Sequence, residues 1–356
     1  MSDSIQTIPV RTSPAYTVQI APGLLGRCGS LLGEVLPPCR VAVVTDSAVA
    51  PLYLERVTAS LTSAGFAVVS YVFPAGESHK NMATLSGILE FLAREHLTRT
   101  DCVAALGGGV VGDMAGFAAA VYLRGIRYVQ LPTTLLAAVD SSVGGKTAVD
   151  LAAGKNLAGA FLQPAAVLCD TDCLATLPRD VFADGAAEAI KTGVLSDESL
   201  FALFEDGTLT AAPGSVIARC VAYKAGVVER DEKEQGERKL LNLGHTVGHA
   251  IEKCSGYAIP HGHAVAAGLA IMARAAERLG WTEAPVAERI AGCLAKNDLP
   301  TGTDFSSQDL ARAALSDKKR AGDTITIVVP RQIGACQLRK LPVSELEALI
   351  AAGLEG

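Results

Sequence analysis

The apolar stretch CVAALGGGVVGDMAGFAAAVYL, residues 102–123, decides the fold class of this chain. Its length raises the question of a membrane span, because about 20 apolar residues cross a bilayer as a helix. Asp113 near its middle, five glycines within it and Arg124 directly after it argue against a span. An apolar run broken by glycines is typical of a buried strand, a tight turn and a buried helix. We therefore expect an α/β protein with no membrane partner.

The first half of the chain repeats this alternation of strand and helix. Strands are predicted at residues 40–46, 66–73, 102–108, 128–132 and 166–170. Helices are predicted at residues 48–65, 82–96 and after the glycine turn, and residues 1–40 predict one or two leading strands with a short helix. Alternating strands and helices indicate a parallel sheet, and continuous apolar strands indicate a sheet covered on both faces. This pattern predicts a Rossmann-like nucleotide-binding domain.

Beyond about residue 180 the strand signal fades and helical patterns dominate. Helices are predicted at residues 183–204, 215–230, 242–253, 264–279 and 287–297, and a late strand at residues 324–330. We therefore expect two domains, an α/β domain at residues 1–180 and a mostly helical domain at residues 181–356. An active site is first sought in the cleft between two such domains.

Composition and charge limit the classes of function. Of the 356 residues 49% are hydrophobic and 19% are charged, and the formal net charge is −6, which disfavours nucleic acid as a partner. The first residues, MSDSIQTIPV, lack the basic and apolar regions of a signal peptide. Nine cysteines without a CxxC pair suggest reduced thiols in the cytosol. These features predict a cytoplasmic enzyme.

The glycine turn at residues 107–113 contains a GxGxxG pattern. It follows a predicted strand and opens a predicted helix, which is the setting in which backbone N–H groups bind a pyrophosphate. It is not in the first strand–helix turn, and no acid lies about 20 residues further on to bind a ribose. Asp46 and Glu77, each just after a strand, are alternative acids for the nucleoside. Glycines needed only for packing remain a second interpretation.

Four of the six histidines lie in ERKLLNLGHTVGHAIEKCSGYAIPHGHAV, residues 237–265. His245 and His249 are four residues apart, on one face of a helix, and His261 returns after a loop. This arrangement predicts a metal site, although clustered histidines can also be ordinary surface or core residues. The zinc-protease motif HExxH is excluded because Thr246 replaces its catalytic Glu.

A catalytic metal held by two histidines needs a third ligand, often a carboxylate. Glu188 is the candidate, because it lies with Lys191 on an otherwise apolar helix, where a charged pair must face a partner or a site. A near miss to the P-loop ends at Lys146, with Asp140 where that motif requires glycine. Its glycine-flanked lysine predicts a contact with phosphate or a polyol instead of an NTPase site.

These motifs together resemble the 3-dehydroquinate synthases, a family of the sugar-phosphate cyclases. The resemblance covers roughly residues 46–330 and rests on GESHK (76–80), GGGVVGDMAGF (107–117), LPTTLLA (131–137), VDSSVGGKTAVD (139–150), GAAEAIKTG (185–193), LLNLGHTVGHAIE (240–252), HGHAV (261–265) and SDKK (316–319). The family implies an NAD-binding Rossmann-like domain followed by a mostly helical metal-binding domain, a fold shared with the glycerol dehydrogenases.

Carried over position by position, the family's residues form three groups. Zinc or cobalt would be bound by Glu188, His245 and His261. NAD would be bound by Asp46, Gly76, Glu77, Lys80, Gly108, Gly109, Val110, Val111, Gly112, Asp113, Thr133, Thr134, Lys146, Lys155, Cys173 and Thr176. Substrate would be held by Arg124, Asp140, Lys146, Asn156, Lys191, Lys224, Arg238, Asn242, His249 and one of Lys318 and Lys319. By this resemblance His249 handles substrate or a proton and is not a metal ligand.

The resemblance also implies a reaction. The family converts 3-deoxy-D-arabino-heptulosonate 7-phosphate, a phosphorylated sugar acid, to 3-dehydroquinate and phosphate in the shikimate pathway. It does so by transient oxidation with NAD, phosphate elimination, reduction and intramolecular aldol closure. Many lysines and arginines suit a substrate with a carboxylate and a phosphate. A homodimer is the family's expected assembly.

Two departures from the family pattern keep alternatives open. Gly262-His263 stands where the family usually has Gly-Glu, as in relatives that cyclise sedoheptulose 7-phosphate, and Ala48 stands where an Asn often helps to bind adenosine. One alternative is an NAD- and metal-dependent polyol dehydrogenase of the glycerol dehydrogenase type. Such an enzyme would not need the lysines and arginines that bind the phosphate and carboxylate of the substrate. A zinc-stabilised scaffold would need a closed site of four ligands.

Overall fold

The structure, a computed structural model, describes residues 4–207, 212–315, 320–321 and 323–355. Within these residues the chain forms two compact units. The first unit comprises residues up to 177 together with 224–233, and the second comprises residues 178–223 and those from 234 onward. The first division lies near the predicted boundary at residue 180, but a single boundary does not describe the return of residues 224–233 to the first unit.

A mostly parallel sheet forms the centre of the first unit. Its strands are β1 (Gln6–Val10), β2 (Tyr16–Ala21), β3 (Arg40–Asp46), β4 (Ala67–Phe73), β5 (Cys102–Gly107), β6 (Arg127–Pro132) and β9 (Val167–Asp170). Among the described residues their order is β1-β2-β9-β6-β5-β3-β4, and β1 alone runs antiparallel to its neighbour. The predicted α/β fold class with a parallel sheet is confirmed.

The strand order reverses at β3, because β4 pairs with one side of it and β5 with the other. In open α/β sheets, ligands bind beyond the carboxyl ends of the strands at such a reversal. Asp46 ends β3 and Gly107 ends β5. As the sequence indicated, the glycine turn is not in the first strand–helix connection. It nevertheless lies beside the strand that ends with Asp46, because β5 pairs with β3.

Helices cover both faces of this sheet. They are α1 (Cys28–Gly33), α2 (Ala50–Ser63), α3 (Met82–Arg94) and α4 (Gly109–Val121). Val41 and Val43 of β3 pack with α1 and α2, and Ala42 and Val44 pack with α3 and α4. Successive strand residues point to opposite faces, so a strand buried on both must be apolar at every position. The strands β7 (Lys146–Leu151) and β8 (Gly154–Phe161) pair separately as an antiparallel ribbon.

The second unit is mostly helical. Its helices are α5 (Arg179–Ser196), α6 (Glu198–Glu205), α8 (His245–Cys254), α9 (His261–Arg278), α10 (Ala287–Lys296), α11 (Ser307–Leu315) and α12 (Leu346–Leu354), and α7 (Pro213–Arg230) contributes its residues up to 223. The strands β10 (Arg320–Ala321), β11 (Thr324–Gln332) and β12 (Ala335–Pro342) pair antiparallel. Side chains of α8, α9, α11, α12 and β11 share one hydrophobic core.

Several helix boundaries in this unit differ from the predicted ones. The predicted helix 183–204 is divided into α5 and α6 at Asp197, whose Oδ1 accepts hydrogen bonds from the backbone nitrogens of Ser199 and Leu200 at 3.0 and 3.1 Å. Residues 237–242 form a 3₁₀ helix before α8, and α9 begins at His261 instead of residue 264. Across the described parts of the chain, every helix is too short or too polar to cross a membrane.

Candidate functional site

Direct backbone contact between α8 and α9 places two of the histidines. A β-carbon on Gly244 would lie 2.9 Å from the carbonyl oxygen of Val265, and one on Gly268 would lie 2.3 Å from that of Gly244. Because packed interiors do not tolerate such overlaps, only glycine allows the helices to approach this closely. His245 begins α8, His261 begins α9, and their ring centroids are 5.3 Å apart.

A carboxylate from α5 completes a group of three candidate ligand atoms. Glu188 is 1% exposed, and its Oε1 lies 3.4 Å from Nε2 of His261 and 3.7 Å from Nε2 of His245. Donor atoms held about 2.1 Å from a tetrahedral Zn²⁺ are about 3.4 Å apart. One carboxylate and two imidazoles are thus spaced as a tetrahedral cation requires, and they are the residues that the family resemblance implied.

Burial and neighbouring charges shift the pKa of Glu188 in opposite directions. Burial disfavours the charged form, but the Lys191 ammonium and the His261 ring outweigh it and hold the pKa of Glu188 below its usual value. Oε2 of Glu188 is paired with Lys191, whereas Oε1, which faces the two histidine rings, is buried without a well-directed hydrogen bond within the described structure. Buried polar atoms normally have such partners, so an ionised carboxylate left in this state is suited to bind a cation.

The second nitrogen of each ring faces an acceptor. Nδ1 of His245 lies 3.1 Å from the carbonyl oxygen of Leu243, and Nδ1 of His261 lies 3.3 Å from Oε2 of Glu252, which is 2% exposed. An N–H at Nδ1 leaves the Nε2 lone pair for a metal, and such acceptors orient most metal-binding histidines. Burial opposes a charge on His261, but Glu188 and Glu252 outweigh it and raise its pKa, so a bound cation must displace a proton.

Sequence reasoning missed the contribution of Glu252. It lies seven residues after His245, two helical turns along the same face of α8, and this spacing could have identified it. His249, Glu252 and His261 form a second group whose donor atoms lie within 4.8 Å of one another. The His249 ring lies 5.2 Å from that of His245 and 5.9 Å from that of His261, so all three histidines share one cluster.

The glycine turn of the first unit forms the amino end of α4. Gly108 precedes the helix, which begins at Gly109 and points the unpaired N–H groups of its first turn beyond the end of β5. A β-carbon on Gly108 would lie 3.0 Å from Cγ2 of Thr134, and one on Gly112 would lie 2.6 Å from Oε1 of Gln130. The glycines therefore serve close packing, as the second interpretation held, and also open a helix end suited to an anion.

A buried lysine joins several residues assigned to NAD or substrate. Nζ of Lys80 lies 2.6 Å from Oδ2 of Asp113 and donates a 2.6 Å hydrogen bond to Oδ1 of Asn156. Burial opposes its charge, but Asp113 and then Glu77 outweigh the burial and raise the pKa of Lys80. Nζ of Lys155 lies 3.4 Å from Oε1 of Glu77. The structure thus brings these residues, which are far apart in the sequence, into one charged cluster.

The remaining residues assigned to NAD differ in what their side chains can contact. Oδ1 of Asp46 accepts bonds from the backbone nitrogens of residues 48 and 49, so part of this carboxylate holds the turn into α2. Thr176 bonds to the hydroxyl of Tyr53. The side chains of Val111 and Cys173 are fully buried in the hydrophobic core. They can therefore support the residues that contact a cofactor, but their side chains cannot contact it directly. Gly76 lies at the turn before residues 77–79. Val110 lies in the first turn of α4, and Thr133 lies just after β6.

The residues assigned to substrate lie in both units. In the first unit, Lys224 bonds to the carboxylate and the carbonyl oxygen of Asp140 at 2.5 and 2.7 Å, Lys146 is exposed at the start of β7, and Arg124 is exposed. In the second unit, Arg238 is 1% exposed in the 3₁₀ helix before α8, and Asn242 donates to Oε1 of Glu234 at 2.8 Å. Lys318 and Lys319 lie outside the described residues.

Comparisons with family models and with curated proteins identify the same family. A family model described as 3-dehydroquinate synthase N-terminal matches residues 70–184, and one described as 3-dehydroquinate synthase C-terminal matches residues 185–320. The chain is 45% identical over 349 residues to a curated 3-dehydroquinate synthase of Pelobacter propionicus, an alignment that covers 96% of this chain and 97% of that protein.

Two solved structures share the fold over nearly the whole chain. The 2-epi-5-epi-valiolone synthase of Streptomyces hygroscopicus subsp. jinggangensis, with NAD⁺ and Zn²⁺ bound, has a TM-score of 0.87 at 27% identity, covering 96% of this chain and 97% of that one. A 2-deoxy-scyllo-inosose synthase complexed with carbaglucose-6-phosphate, NAD⁺ and Co²⁺ has a TM-score of 0.85 at 24% identity, covering 98% and 99%.

Proposed function

The chain belongs to the 3-dehydroquinate synthase family, and we propose that it converts 3-deoxy-D-arabino-heptulosonate 7-phosphate to 3-dehydroquinate and phosphate with NAD and a divalent metal. Besides family membership, the main support for this proposal is the buried group of Glu188, His245 and His261. These residues offer a carboxylate and two imidazoles at the spacing of a metal centre. Three protein ligands leave a position open for a reacting oxygen, as in catalytic zinc sites.

Glu188, His245 and His261 would hold Zn²⁺ or Co²⁺. A metal bound there would supply Lewis acidity toward a hydroxyl or carbonyl oxygen of the substrate. The chain's own contribution is to keep Glu188 ionised through Lys191, and to fix the ring of His261 through Glu252. The valiolone synthase with NAD⁺ and Zn²⁺ bound supports this choice of metal.

The first turn of α4 and the charged cluster around Lys80 would bind NAD. NAD bound there would supply reversible hydride transfer with no net formation of NADH. The N–H groups of residues 109–111 would receive the pyrophosphate, since the amino end of a helix carries partial positive charge. Asp46 ends the adjacent strand β3, where the strand order reverses, and would contact the nucleoside.

Cationic and polar side chains would bind the carboxylate and phosphate of the substrate. In the second unit these are Lys191, Arg238, Asn242 and His249, with His249 beside the metal group and able to transfer a proton. In the first unit they are Arg124, Lys146, Asn156 and the pair of Lys224 with Asp140. We also propose that the protein is a cytoplasmic homodimer that acts in the shikimate pathway.

A substrate comparison tests the proposal. Purified protein with zinc and catalytic NAD is offered heptulosonate 7-phosphate and, separately, sedoheptulose 7-phosphate, and both phosphate release and NADH absorbance are followed. Phosphate released only from the first, without net NADH, is the expected result. His263 favours sedoheptulose 7-phosphate as a second candidate substrate, because relatives that cyclise this sugar have the same Gly-His pair. Turnover of this sugar would group the protein with those relatives. Net NADH without phosphate would contradict both and favour a polyol dehydrogenase.

A further inference from the structure

The amino end of α9 lacks a cap of its own. The residue before the helix is Pro260, which has no side-chain acceptor for the unpaired backbone N–H groups of the first turn. His261 is the first residue of this helix. Whatever satisfies the first turn of α9 therefore also fixes the position of a proposed metal ligand.

Asp184 of α5 provides the missing acceptor. Its Oδ1 lies 3.0 Å from the backbone nitrogen of His263 and 3.1 Å from Nδ1 of the same residue. An ionised carboxylate only accepts hydrogen bonds, so both nitrogens donate to it. The negative charge also lies at the amino end of α9, where it interacts favourably with the helix dipole. Asp184 thus caps a neighbouring helix, across the contact between α5 and α9.

Gly262 makes this contact possible. A β-carbon at this position would lie 2.0 Å from the carbonyl oxygen of Asp184 and 2.8 Å from its Oδ1, so the first turn of α9 rests directly on the backbone of α5. Asp184 precedes Glu188 by four residues, which places both side chains on one face of α5. One helix face therefore carries both the cap of α9 and the carboxylate that faces His261.

We propose that Asp184 is a positioning residue for the metal centre. By capping α9 and holding the ring of His263, it keeps His261 at the distance from Glu188 that a metal ion requires. The pair of Asp184 and His263 acts through the position of His261. This inference rests on the metal site proposed above, because it assigns a function to the contact only if Glu188 and His261 bind the same ion.

Zinc affinity of the full chain is the direct test, measured by competition with a chromophoric chelator. Asp184→Ala should raise the zinc Kd by about 10- to 100-fold, the usual effect of removing an outer contact of a metal ligand. Asp184→Asn keeps an acceptor oxygen and should recover most of the affinity. His263→Ala removes only the ring contact and should cause a smaller rise. Asp197→Ala, which removes the cap of α6 in the same unit, is the matched control and should leave the Kd unchanged.

Thermal unfolding with and without zinc separates positioning from a purely structural role. Both Asp→Ala variants should lower the Tm of the metal-free protein, but the rise in Tm on adding zinc should shrink only for Asp184→Ala, because that rise depends on the Kd. Wild-type zinc affinity in Asp184→Ala, or an equal loss in Asp197→Ala, would overturn the proposal. If Asp184→Ala does not fold, unchanged affinity in His263→Ala overturns it. Absence of zinc binding in the wild type would instead refute the proposed metal site.

Discussion

Gly262→Ala should damage both stability and metal binding. The added β-carbon would lie 2.0 Å from the carbonyl oxygen of Asp184, and an ordinary contact is at least 3.4 Å, so α9 and α5 must separate by about 1.4 Å. Overpacking of this kind costs about 1–3 kcal/mol. Metal–ligand distances tolerate deviations of only about 0.2 Å. Because His261 directly precedes Gly262, a shift of this size should weaken zinc binding at least about tenfold.

The assay compares Gly262→Ala with Gly292→Ala. Gly292 lies within α10, and a β-carbon there would meet nothing within 4 Å, so this control should gain about 0.5–1 kcal/mol from helix propensity. Urea unfolding of the metal-free protein gives the free energy of unfolding, and chelator competition gives the zinc Kd. If Gly262→Ala matched the wild type in both measurements, the contact between α5 and α9 would not position His261, and the reasoning would be refuted.

Three further predictions concern other parts of the chain. Glu188→Gln should lose zinc and activity while keeping the far-UV circular dichroism of the wild type, and normal zinc content would contradict the ligand assignment. Lys146→Ala should weaken binding of the phosphorylated substrate far more than binding of NAD, whereas equal losses in titrations of both would mean that this lysine has another role. Asp101→Asn should lower the free energy of unfolding by about 1–3 kcal/mol at neutral pH, because the buried carboxylate accepts three hydrogen bonds from Arg40 and Thr98. Burial opposes ionisation of Asp101, but these bonds lower its pKa, so urea titrations should show the difference shrinking as the pH falls below about 4.

Segments buried on both sides were predicted best. Strand β3 covers the predicted residues 40–46, because a run with apolar side chains on both faces has few other stable forms. Strand β12 was not predicted, because half of its residues are exposed, only one is fully buried, and its charged residues hide the alternation of a strand. The division at Asp197 was missed because apolar residues resume directly after the polar residues 196–199, although an aspartate is a common helix start.

The sequence by itself determined the kinds of atoms available for the site and the fold class that carries them. Clustered histidines, a lone buried acid and a glycine turn after an apolar strand are readable from spacing, because a helix or a strand repeats with a fixed period. Spacing within one helix could only group His245 with His249 and Glu252. The approach of Glu188 to His245 and His261, and the contacts of His261 with Glu252, were decided by three helices that pack at distances set by glycine. Distances between helices depend on which backbones can touch, and only the tertiary structure shows that.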